Sequence, residues 1–191
     1  MAKFIDNIIE KFASYLRDRN NLDYITYLKV KLGIQVAYNN ISKGIVTYGI
    51  SLLCNMFFYT LTVHITYFIL KLFAHGAHAK SAILCHIQNI VSFILVPYLI
   101  VSFRPDSRIL MGLVFLNLII LLIYAPRTTK KQPLPFKYRK GKKIKTMILA
   151  TLILILSIFI KEPYSVLLLY SEILIGISQL PIFVPKEEYK G

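Results

Sequence analysis

The chain has 191 residues, of which 56% are hydrophobic, and a mean hydropathy of +0.60. Those values exclude an ordinary soluble domain and make lipid the natural solvent. A net charge of +14 could point to nucleic acid, but the Lys and Arg residues sit between apolar runs, where anionic lipid headgroups explain them more simply. No nucleic-acid partner is expected, and two cysteines, Cys54 and Cys85, are too few for a disulfide framework and read as free thiols.

Residues 1–43 are amphipathic. Phe4, Ile8, Phe12, Tyr15 and Leu16 recur at helical spacing against Lys3, Glu10, Lys11 and Arg17, which predicts a helix lying along the membrane interface. Asn20-Asn21 should interrupt it, and Asp23 should cap a second amphipathic helix running through Tyr24, Ile25, Leu28 and Leu32. The charged opening, with no A-x-A-like cleavage site after an early apolar stretch, argues against a removable signal peptide.

Residues 44–70 and 81–103 carry no formal charge, and shorter apolar runs follow at 109–125, 146–160 and 164–184. Roughly 20 helical residues cross a hydrocarbon core of about 30 Å, so the expected fold is all-α, a polytopic helical membrane protein. The loop 127–145 has nine Lys or Arg and no acid, and such loops stay in the cytoplasm. Counting back from it puts the short segment 71–80 on the same side. Residues 1–43, with seven Lys or Arg, also belong there, which requires 44–70 to cross twice as a tight hairpin and gives about six transmembrane helices. One tilted helix with the N-terminus outside is the competing arrangement. The expected domains are an interfacial segment 1–43, one transmembrane catalytic domain 44–184 containing the basic loop, and a tail 185–191.

Between residues 44 and 160 the only carboxylate is Asp106, so paired-carboxylate mechanisms lack a partner. No phosphate-binding glycine loop and no G-x-S-x-G elbow appears. What calls for explanation is that three of the four histidines and one of the two cysteines, His75, His78, Cys85 and His86, fall within twelve residues beside a membrane boundary. A cysteine nucleophile needs a base and is favoured by nearby positive charge and a helix N-terminus. His78 can supply the base, Lys71 and Lys80 the charge, and Ser81 a helix cap that places Cys85 in the second turn. On one continuous helix His78 and Cys85 would lie about 10 Å apart along the axis, so the pair needs a turn between them, and Gly76 makes one credible. Gln88 and Asn89, three and four residues past Cys85, could orient the histidine, and Glu172 inside an apolar run is a functional candidate by default. Two other readings stay open here. The histidines can be interfacial residues and Cys85 a small hydrophobe, or His75, His78 and Cys85 or His86 can be zinc ligands.

The string Ala74-His75-Gly76-Ala77-His78-Ala79, followed by Ser81 and Cys85, resembles the accessory gene regulator B family of membrane peptidases. So do Arg19-Asn20-Asn21-Leu22-Asp23, Tyr124-Ala125-Pro126 leading to Thr129-Lys130-Lys131, Lys161-Glu162-Pro163 and Leu180-Pro181-Ile182-Phe183, so the resemblance covers almost the whole chain. Gln132 departs from the basic residue of some relatives, and Lys71 from an arginine. The resemblance implies a quorum-sensing cysteine endopeptidase in the bacterial cell membrane, its site on the cytoplasmic face. It would cut the C-terminal tail from a small AgrD-like precursor peptide and cyclise the signal as a thiolactone. By that resemblance Cys85 is the nucleophile and His78 its general base and acid; the residues read above, His75, Gly76, Ser81, Lys71, Gln88, Asn89 and Glu172, remain supporting candidates. The basic loop, with Lys130 and Lys131, would bind the substrate's acidic tail. No metal or cofactor is called for. The expected partners are the precursor peptide, the lipid bilayer and a second copy of the chain as a homodimer. The alternative from another class is a noncatalytic membrane transporter or scaffold.

Overall fold

The computed structural model describes residues 2–76, 82–127 and 134–183. They form α-helices, one π-helical segment and one 3-10 turn, with no strand among the described residues. The protein is an all-α polytopic membrane protein, and the chain divides into two compact units, residues 1–49 and 50–191.

The first unit pairs α1 (Ala2–Asn20) with the first part of α2 (Tyr24–Leu53). The break falls at the asparagine pair, as expected. Asn21 takes a left-handed φ of 48°, which asparagine tolerates, and the Leu22 N–H reaches back to the Arg17 carbonyl at 3.0 Å. Across the turn the Tyr27 hydroxyl donates to Glu10 at 2.6 Å and the Lys31 ammonium pairs with the same carboxylate. Lys31 holds Glu10 below the ordinary carboxylate range and is itself raised by Glu10. Asp23 accepts from the Thr26 N–H at 3.4 Å, the cap the sequence suggests. α2 then runs unbroken past Lys43, because nothing between Ser42 and Gly49 stops a helix strongly enough to end it.

The second interruption repeats the first device. Asn55 has φ 55°, and the Met56 N–H bonds the Ser51 carbonyl at 2.8 Å, so a helix break lies inside the uncharged run 44–70. From there α3 (Phe57–Ala74), α4 (Ala82–Ile90), a π segment (Val91–Leu95), α5 (Val96–Phe103), α6 (Ser107–Tyr124), α7 (Phe136–Phe159) and α8 (Tyr164–Ile177) follow in order. Among the described residues, three stretches, Phe57–Ala74, Ile83–Phe103 and Ser107–Tyr124, are long and apolar enough to cross a membrane, and α8 is a shorter apolar helix. Asp106 caps α6 by accepting from the Arg108 N–H at 2.8 Å.

Besides the continuation of α2 past Lys43, two boundaries differ from those read in the sequence. The basic stretch read as a loop to Lys145 is helical from Phe136, since Lys and Arg are good helix formers and charge decides the side of the membrane rather than the backbone. α8 stops at Ile177 instead of 184, ahead of Pro181, which has no N–H for a continuing helix.

α8 is the hub of the second unit. Leu167, Leu169, Ser171, Glu172 and Ile175 are buried, and α3, α6 and α7 pack around them, while large apolar residues such as Phe115, Ile119, Leu152 and Ile158 face outward. The interior is therefore made of helix contacts and the lipid takes the rest. Close approach of α6 to α8 depends on Gly176. A methyl group there would fall 1.5 Å from Asn117 Oδ1, while Asn117 Nδ2 donates to the Glu172 carbonyl at 2.8 Å.

The π segment has a cause two residues beyond its end. Pro97 has no N–H, and the Val96 N–H is drawn to the Val91 carbonyl, so the Ser92 carbonyl receives a donor from neither Val96 nor Pro97. The Tyr170 hydroxyl of α8 supplies one at 3.0 Å. In a lipid-embedded bundle an orphan carbonyl costs several kcal/mol, so this bond fixes α8 against the wide turn.

Gly176→Ala is expected to destabilise the bundle by about 1–3 kcal/mol through overpacking against Asn117. Gly112→Ala, where a methyl group meets nothing within 4 Å, should be neutral or stabilising by up to about 1 kcal/mol. Thermal unfolding of the two variants in detergent checks the difference.

Candidate functional site

The candidate segment begins where α3 ends. Ala74 is the last helical residue, His75 follows at φ 57° and Gly76 at φ 111°. The second value lies where side chains are rarely found, which explains the glycine. Little space is left there either, since a Cβ on Gly76 would fall 2.6 Å from both Gln179 Nε2 and Ser178 Oγ.

These two residues are held by three other helix termini. The Arg127 N–H donates to the Ala74 carbonyl at 3.1 Å and the Gly76 N–H to the Arg127 carbonyl at 3.4 Å, a short parallel bridge just past the end of α6. The Arg127 guanidinium, only 4% exposed, donates to the Gln179 carbonyl at 2.9 Å. Gln179, fully buried beyond α8, donates from Nε2 to the His75 carbonyl at 3.2 Å. From the first turns of α7, Lys142 Nζ donates to the Leu72 carbonyl at 3.2 Å and meets His75 Nε2 at 2.8 Å. An ammonium has only donors, so in this contact His75 Nε2 is the acceptor and its ring proton sits on Nδ1. Thus α3, α6 and α8 finish at one end of the unit, where α7 begins.

Of the residues singled out in the sequence, His75 and Gly76 lie in this junction. Lys71, in the last turn of α3, donates to the Tyr67 hydroxyl at 2.9 Å. Cys85 is the fourth residue of α4 and half-buried, and Asn89, one turn on, shares that half-buried face, whereas Gln88 is exposed. α4 makes its substantial contacts with the π segment that continues it. Glu172 lies two helical turns before Gln179, fully buried, and its carboxylate oxygens have no hydrogen-bond partner among the described residues. His78, Ser81, Lys130 and Lys131 fall outside the described residues.

Sequence reasoning missed Arg127, Lys142 and Gln179. The sequence reads Arg127 and Lys142 only as members of the basic loop, a topology signal and a hold on the substrate's tail, and Gln179 only as part of an apolar run. A polar residue just before a helix-stopping proline was the available signal.

Gly76→Ala should strain the turn and drive Gln179 off the His75 carbonyl. A loss of about 1–3 kcal/mol is expected, read as a lower unfolding temperature and as faster protease cleavage between α3 and α4.

Comparison with known proteins gives one consistent result. The family model described as Accessory gene regulator B matches residues 7–182. The accessory gene regulator protein B of Staphylococcus saprophyticus subsp. saprophyticus is 52% identical over 99% of this chain and 100% of its own length. That of Staphylococcus epidermidis is 47% identical over 97% of this chain and 96% of its own, and that of Staphylococcus aureus 45% identical over 97% and 99%. No solved structure matches the chain.

Proposed function

This chain belongs to the accessory gene regulator B family, and we propose that it is a membrane cysteine endopeptidase of quorum sensing that removes the C-terminal tail of a small AgrD-like precursor peptide and closes the remaining segment into a thiolactone. Cys85 is the nucleophile and His78 the general base and acid. The observation that carries this reading is the break between α3 and α4. α3 ends at Ala74 and the chain leaves it through the left-handed turn at His75 and Gly76, so α3 itself does not run on to Cys85; this supports a pairing that one continuous helix, with its separation of about 10 Å, would prevent. Cys85 sits one turn from the N-terminus of its helix.

The chemistry runs in two exchanges. His78 takes the Cys85 proton, and the thiolate adds to the carbonyl at the scissile bond. Collapse of the tetrahedral adduct breaks the C–N bond, and the tail leaves as an amine that receives the proton from His78, leaving a thioester on Cys85. A cysteine thiol within the bound peptide then gives its proton to His78 and attacks that thioester. The ring closes as the Cys85 sulfur leaves and is reprotonated. Exchange between thioesters is close to balanced in energy, so the yield of ring depends on holding the internal thiol near the carbonyl and excluding water.

The same reading sets the site at the cytoplasmic face, in a chain of six crossings. Its support is the nine basic residues from Arg127 to Lys145, together with the meeting of the α3 and α8 ends with Arg127 and Lys142. Lys130 and Lys131 would receive the acidic tail.

In cells making the precursor, Cys85→Ala, Cys85→Ser and His78→Ala should each lower tail release by at least about 10³-fold at unchanged membrane abundance, as loss of a nucleophile or its base does. Tail release surviving in Cys85→Ala would remove the peptidase and favour the transporter or scaffold. Separately, single cysteines introduced as Asn39→Cys and Lys71→Cys into a chain lacking Cys54 and Cys85 should label from the same, cytoplasmic side. Labelling from opposite sides would sink the six-crossing topology.

A further inference from the structure

Lys142 does more at this end of the bundle than add charge. Its ammonium is half-buried and makes two contacts to α3 nearly seventy residues away, the Leu72 carbonyl at 3.2 Å and His75 Nε2 at 2.8 Å. One turn further along α7, Lys145 Nζ lies 5.9 Å from the Phe73 ring. A lysine serving only as a topology signal has no need of such partners, and one reserved for an acidic substrate would keep its donors free. Here the donors are directed at the residue from which the candidate segment departs. His75 is thereby held at its ring by Lys142, at its carbonyl by Gln179 and through its neighbours by the Arg127 peptide group.

We propose that Lys142 is a positioning residue for the peptidase reaction: its ammonium, seated on His75 Nε2 and the end of α3, fixes the direction in which the chain departs toward His78. The proposal rests on the peptidase reading above. It gives the two histidines of the Ala74–Ala79 string different work, since His75, whose Nε2 is occupied by an ammonium, is a fixed point and His78 is the base. A misplacement of about 1 Å at a catalytic group costs on the order of 10²-fold in rate. That is the size of effect a lost anchor two to three residues away should produce. The loss should fall on kcat, because Lys142 is engaged by α3 and Lys130 and Lys131, the residues assigned to the precursor's tail, are untouched.

The test uses the full chain in isolated membranes with an AgrD-type precursor carrying a tag on its tail, the initial rate of tail release being followed against precursor concentration. Lys142→Met, which keeps the length of the side chain and removes the donor, should lower kcat about 10²-fold with KM changed by less than about threefold. Lys142→Arg, which keeps a donor, should restore most of the rate. His75→Ala should lose a similar factor, and the double variant should lose no more than about twofold beyond either single one, because both remove the same contact. A rise in KM with kcat intact, or losses that multiply in the double variant, would overturn the proposal and make Lys142 a substrate-binding charge. Wild-type kinetics for Lys142→Met, with Cys85→Ser inactive, would overturn it while leaving the peptidase standing. Tail release persisting in Cys85→Ser would remove the peptidase itself, and this proposal with it.

Discussion

A guanidinium buried at the end of a lipid-soluble bundle is the constraint from which the rest of this structure follows. Helix ends leave carbonyls without partners, and in apolar surroundings those groups must be satisfied within the protein. Arg127 meets the demand in two directions, with its guanidinium on the Gln179 carbonyl and its peptide N–H on the Ala74 carbonyl. Gln179 returns a bond to the His75 carbonyl. The ends of α3, α6 and α8 thus satisfy one another, and no one of them can be withdrawn without orphaning groups on the others. Such a closed set is worth more than its separate bonds, because each is made in a low-dielectric place where failure is costly.

The interior repeats that logic on a smaller scale. Since lipid tails are as apolar as leucine, burial alone does not choose which helix faces α8; small residues and a few interhelical hydrogen bonds do. Asn117 reaches the backbone of α8 because Gly176 has no side chain, and Tyr170 answers the carbonyl that Pro97 and the π turn leave open at Ser92. The two contacts lie on different neighbours of α8, and with the junction at its end they hold its rotation as well as its depth. A shift of α8 along its axis would break all three together, so the position of Gln179, and with it the left-handed turn at Gly76, is set by packing well inside the membrane region.

Apolar length and the absence of charge made the runs that hold α3 to α6 legible in the sequence, and the pair Asn20-Asn21 marked the first break, whereas the second, at Asn55, works by the same left-handed turn as Asn21 but was not located. The continuation of α2 past Lys43 and the helical start of α7 were not legible from charge, which reports the side of a membrane and says nothing of the backbone. The wide turn before Pro97 was not foreseen, although proline's missing donor is its cause. Least legible was the junction. Arg127 and Gln179 are 52 residues apart, and periodicity along one chain carries no information about which distant helix ends will meet. Glu172 drew notice in the sequence as an intramembrane acid, while Gln179, seven residues on, proved to touch the site segment.

The turn between α3 and α4 has very different support on its two sides. Before it, His75 and Gly76 are tied to three other helix termini; after it, among the described residues, α4 is held mainly by its own continuation, and Ile83, Leu84 and Ile87 are exposed around a half-buried Cys85. Under the peptidase reading this asymmetry matches the chemistry. The base must be fixed, because it serves both exchanges and a small displacement is paid for twice. The nucleophile must meet a carbonyl that is approached by one sulfur and later by another, and it must do so without admitting water. On that reading the apolar face of α4 would let a membrane-bound peptide cover the sulfur, and the substrate would complete the dry site that the reaction needs.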